Sequence, residues 1–82
     1  MRSDLARQAR AHLQPLADDR RTRGANLPEA DVEAATALLV DLWAAAARHG
    51  ITPQHRAWTF HLPRAALDIT AAVRRQARGA GR

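Results

Sequence analysis

Thirteen of the 82 residues are arginine and none is lysine. A guanidinium is charged at every ordinary pH and offers a rigid fork of donors that matches paired oxygens on phosphate or carboxylate. The chemistry this chain is best equipped for is therefore anion binding, provided its arginines are gathered. Near the C-terminus, Arg64, Arg75, Arg78 and Arg82 fall on one side of a helix, with Asp68 interrupting the row and Arg74 near its edge. Arg56 precedes the aromatic pair Trp58 and Phe60. Several guanidiniums on one surface displace counterions from a nucleic-acid backbone. Arg56, Arg64, Arg74, Arg75 and Arg78 are accordingly the candidate nucleic-acid contacts. The same surface suits an acidic protein partner, for which Trp58 and Phe60 are the candidate anchors.

Other chemistries find little footing. The histidines stand at 12, 49, 55 and 61, so no two share a helical face at the spacing a metal site needs. His49 reads as a helix C-terminal residue and His12 as a packed or interfacial one. No Ser-His-Asp arrangement, glycine-rich phosphate loop or paired catalytic carboxylates can be recognised. The acids Glu29, Asp31, Glu33 and Asp41 read as helix capping and solvated surface. The expectation is a protein that is not an enzyme and needs neither metal nor cofactor.

The charge is patterned as well as positive. The net charge is +5, made of +3 over residues 1–23, −4 over 24–47 and +6 over 48–82. Alanine- and arginine-rich, lysine-free composition is also what a GC-rich coding sequence produces, so the arginine content alone proves no partner. It suggests a bacterium or its phage. There is no cysteine and no apolar stretch of the ~20 residues a membrane helix requires, which fits a cytoplasmic protein.

These side chains must be positioned by helices. Ser3 is a candidate N-cap, after which Leu5, Ala9, His12, Leu13 and Leu16 repeat at helical spacing. Pro15 should end that helix near Gln14 or kink it on the way to about Arg21. "DDRRTRGAN" is a polar connection holding a second cluster, Arg20, Arg21 and Arg23. "NLPEADVEAATALLVDLWAAAARHG" reads as a central helix. Asn26 and Glu29 have capping-box spacing, and Gly50 supplies a left-handed stop followed by Ile51. Its apolar arc holds Val32, Ala35, Leu39, Leu42, Trp43 and Ala46, flanked by Leu38 and Val40. Thr52 and Pro53 suit a short helical turn. From Pro63 a last helix has Leu62, Ala66, Ile69, Val73 and Ala77 as its apolar face. Between them, Trp58, Phe60 and Leu62 alternate with Thr59 and His61, and Leu62 precedes a proline, so residues 58–62 suit a short extended segment as well as a helix.

The fold expected is all-α, a small three- to four-helix bundle forming a single domain over residues 1–82, with one short extended segment near residues 58–62 and a frayed basic tail at 79–82. Only 17 positions carry Val, Leu, Ile, Phe or Trp. A chain of this size buries only ~60–65% of its unfolded surface, and a core so thin points to a homodimer.

Two short segments resemble DNA-binding families. "AAAARHGITPQHRAWTF" resembles a helix-turn-helix in Ala46, Gly50, Ile51 and Thr52, with Arg56 and Thr59 where that family carries aliphatic anchors. "WTFHLPRAALDITAAVRRQ" resembles the strand and first helix of a ribbon-helix-helix repressor, which implies a ribbon exposing Thr59 and His61 with Arg56 beside it. The sequence holds no second helix after it. Neither resemblance assigns the chain to a family. The functional expectation is a small basic nucleic-acid-binding or transcription-regulatory protein. The alternative is a helical interaction module, an adaptor or inhibitor of a larger partner.

Overall fold

A computed structural model describes residues 2–80. They form three helices, α1 (Arg2–Thr22), α2 (Glu29–Arg48) and α3 (Leu62–Ala80), with a π-helical turn at Ala57–His61 leading directly into α3. No strand occurs among the described residues. The architecture is the all-α bundle that the apolar periodicities imply. Short connections bring each helix back beside the previous one, and α2 is the central element, contacted by both neighbours.

α1 is already helical at Arg2, one residue ahead of the expected Ser3 cap, and it runs unbroken through Pro15. The proline ring removes the bond that would reach the carbonyl of Ala11. Both residues are exposed, so water takes up that carbonyl and the helix continues. Ala9, Leu13 and Ala17 bury completely, with Leu5, Ala6 and Leu16 packed around them. Gly24, at φ +96°, ends the helix, with the Ala25 N–H donating to the Arg20 carbonyl at 2.9 Å.

α2 starts at Glu29 with Pro28 in the capping position and no side-chain cap. The Asn26–Glu29 capping box does not form. Glu29 turns instead to Arg10 and Arg21 of α1, and the Asn26 carbonyl accepts from Arg74. Gly50, at φ +86°, closes the helix as expected. Its N–H donates to Ala47 and that of Ile51 to Ala46, at 3.1 and 3.0 Å. Ala35, Leu39, Val40 and Trp43 face the core, against Leu13 of α1 and Ala66 and Leu67 of α3, and Val32 is also fully buried.

Residues 58–62 are not extended. They belong to the π-turn and the first residue of α3, and Leu62 lies in the right-handed helical region at φ −68°, ψ −40° despite preceding Pro63. Pro63 cannot donate to the Thr59 carbonyl, and its ring would clash there in an α-turn. Widening the turn, so that the Leu62 N–H donates to Ala57, relieves that clash without breaking the helix. Five alternating residues were too few to set a period, and the packing of Trp58 decided it. The ribbon implied by the ribbon-helix-helix resemblance is therefore absent. The helix-turn-helix resemblance fails too. Seven residues, 49–55, separate α2 from the next helical residue, where that motif needs a 3–4-residue turn.

α3 is rotated relative to the face expected for it. Pro63, Ala66 and Leu67 are buried, and Thr70 and Arg74 continue that side. Ile69 and Val73 are 44% and 61% exposed. Beyond Arg74 the helix overruns the start of α2, so every residue from Arg75 to Gly79 is exposed, including Ala77. Gly79 and Ala80 are still helical. Gly81 and Arg82, the rest of the expected tail, lie outside the described residues.

Candidate nucleic-acid interface

The ion pairs sort the arginines into two populations. Arg7 pairs with Asp4, Arg10 and Arg21 with Glu29, Arg20 with Asp68, and Arg23 with Asp19. Arg74 pairs with Asp31. Arg48, Arg56, Arg64, Arg75 and Arg78 have no carboxylate partner among the described residues. All five stand in the segment from residue 48 onward. From the acidic middle of the chain, Glu29 thus engages Arg10 and Arg21 of α1 and Asp31 engages the inward Arg74 of α3, while Arg7 and Arg23 are paired within α1 and Arg20 with Asp68.

Arg74 is the one candidate contact that turns inward. Its Nε lies 2.8 Å from Asp31 Oδ2, and Nη2 donates to the Asn26 carbonyl at 3.0 Å. Asp31 is only 7% exposed. Nε and Oδ2 are both buried and have only each other, in a contact of charges without the alignment of a good hydrogen bond. The expectation that Arg74 belongs to the basic surface, and that Asp31 caps or is solvated, gives way to an inter-helix bolt. Its signal was present in the sequence. Asp31, Ala35 and Leu38 are spaced four and three apart, which sets the aspartate on the edge of the apolar arc.

Arg64, Arg75 and Arg78 share the outer face of α3. At 1.5 Å per residue, Arg75 and Arg78 lie about 16 and 21 Å from Arg64 along the axis. Asp68, on the same face, is engaged by Arg20 at 2.8 Å through one carboxylate oxygen, which offsets part of its opposition to an anion.

At the N-terminal end of this face the π-turn builds a second feature. Arg56 and Arg64 both lie over the Phe60 ring, their guanidinium carbons 4.9 and 3.8 Å from its centroid. Such contacts orient a guanidinium without neutralising it. Arg64 also donates to the Phe60 carbonyl at 3.4 Å. Phe60 itself is 37% exposed and meets His61 edge-on. The spacing of four from Arg56 to Phe60 and again to Arg64 would have revealed this arrangement, had the segment been read as helical.

Trp58 goes the other way. Its ring stacks on Trp43 at 5.0 Å and 6°, and its carbonyl accepts from Trp43 Nε1 at 2.9 Å. His12 meets the edge of Trp43 at 5.4 Å, while its Nδ1 lies 2.9 Å from the Gln8 carbonyl. Trp58, proposed from sequence as a partner anchor, is thus half-buried and ties the π-turn to α2. Phe60 alone of the pair is presented outward.

Among the described residues, no three His, Asp or Glu side chains gather as metal ligands. Two shallow depressions among the described residues are each lined by one helix, α3 in one and α1 in the other. No helix among the described residues is long and apolar enough to cross a membrane. Comparison with protein families, curated proteins and solved structures finds no match to this chain.

Proposed function

We propose that the protein binds nucleic acid through the outer face of α3, acting as a small regulatory protein in a bacterial or phage cytoplasm. Arg64, Arg75 and Arg78 contact phosphates, and Arg56 joins them at the Phe60 end. The observation that carries this reading is the sorting of charge. Among the described residues the arginines without carboxylate partners all stand in the segment from residue 48 onward, and three of them line one helical face. A surface that served only solubility would be served equally well by arginines paired as those of α1 are. The overhanging end of α3 adds reach, because Arg75 and Arg78 stand clear of the bundle. Phosphate contacts of this kind position a protein without reading bases.

The test compares R64A/R75A/R78A with the parent on generic duplex DNA. Loss of binding by at least tenfold with unchanged helical circular dichroism is expected. Equal affinity would refute the reading.

One observation favours a second reading, in which an acidic protein segment docks on α3. Phe60 is exposed and bracketed by two arginines, the residue types that dominate interface energetics. This reading predicts no salt-sensitive affinity for duplex DNA, and loss of the partner in Phe60→Ala.

A further inference from the structure

The nucleic-acid reading leaves one surface of α3 unused. Ile69 and Val73 stand one turn apart and are 44% and 61% exposed, the most exposed large hydrophobic side chains among the described residues. Ala65 and Ala72 lie on the same strip, and Ala72 and Gly79 leave a shallow depression rimmed by Arg75 and Gln76. Exposed apolar side chains beside small residues let another helix approach closely, but they do not say which helix. The flanking charges do.

Asp68 and Arg75 border the strip on the same edge, seven residues apart, which is two helical turns or about 10 Å. When two identical helices pack antiparallel about a two-fold axis, each edge meets the same edge of its mate. With the axis between residues 71 and 72, Asp68 of one copy faces Arg75 of the other, and the converse pair follows by symmetry. The apolar strips coincide in the same register. A parallel pairing brings unlike edges together and loses both ion pairs.

We infer that this strip is the seat of a second copy of the chain, joined through antiparallel α3 helices with Ile69 and Val73 at the centre and reciprocal Asp68–Arg75 pairs at the rim. Asp68 has a second carboxylate oxygen for this, since Arg20 engages Oδ1. Arg75 carries five donors and can serve the seam and an outer anion together. The contact is a single helix pair, below the area of a standard stable interface, so the association is concentration-dependent. It does not depend on the nucleic-acid reading, because it is measured with no nucleic acid present.

Sedimentation equilibrium of the full chain tests it. The parent is expected to pass from monomer to dimer with rising concentration. Val73→Glu should weaken the dimer at least tenfold with unchanged helical circular dichroism. Asp68→Arg and Arg75→Asp should each weaken self-association several-fold. Mixing those two variants should restore it, because all rim charges then match in the heterodimer. A parent that stays monomeric up to millimolar concentration overturns the inference. So does a dimer indifferent to Val73→Glu, or a mixture no more associated than its separate components.

Discussion

At the scale of single residues, Arg74 and Asp31 show how position sorts one chemical group into two roles. Arg75, its neighbour in sequence, is exposed and without a carboxylate, while Arg74 bolts α3 to the start of α2 across a nearly buried aspartate. Removing one partner of such a pair strands the other charge, which costs more than the pair contributes. Arg74→Ala should destabilise the fold by about 2–3 kcal/mol in urea unfolding. Replacing both with apolar residues, as Asp31→Leu with Arg74→Met, should recover most of that loss. If the double variant is as unstable as the single one, the pair is not the source of the effect. Residue type alone could not distinguish Arg74 from Arg75. A carboxylate on the edge of the α2 apolar arc was the clue, and it becomes decisive only once α3 is known to lie against that edge.

At the scale of elements, the helices and their glycine stops were legible because each rests on local geometry. Gly50 is left-handed, and an added Cβ would meet nothing within 4 Å, so its requirement is purely that of the backbone. Gly50→Ala should cost about 1 kcal/mol in thermal unfolding, with no change in the α2–α3 packing. An unaltered melting temperature would show that the stop is not held left-handed. Two proline effects were less legible. Pro15 is accommodated because the carbonyl it orphans faces water. Pro63 is accommodated by widening the preceding turn, an outcome decided by Trp58 stacking on Trp43 from outside the segment. Trp58→Ala removes that stack and should destabilise the protein by about 3 kcal/mol. Phe60→Ala should have little effect on stability, since its ring faces outward. The rotation of α3 was illegible for a related reason. Ile69 and Val73 fit an inward apolar face, but Arg74 claims the inward position through a charge contact that periodicity does not encode.

At the scale of the whole molecule, the bundle is elongated, 41 Å in its longest dimension against 22 Å in its shortest. The end of α3 beyond Arg74 projects past the start of α2 and carries Arg75 and Arg78, while Arg56 and Arg64 stand at its other end. The acidic middle of the chain, legible in the sequence as a charge block, supplies Glu29 to Arg10 and Arg21 of α1 and Asp31 to Arg74. Arg64, Arg75 and Arg78, which no carboxylate among the described residues engages, make the outer face of α3 basic. A basic face of this kind makes a quantitative demand, since every phosphate neutralised on duplex DNA releases counterions and steepens the salt dependence by about 0.9. The most direct test is therefore a salt titration of duplex binding by the parent chain and by R64A/R75A/R78A. With Arg56, Arg64, Arg75 and Arg78 each on a phosphate, log affinity should fall with log salt at a slope of about −3 to −4 per chain, and the triple variant should flatten it by about 2–3. A parent slope near zero, or one the triple variant leaves unchanged, would contradict the assignment of α3 as the anion-binding face.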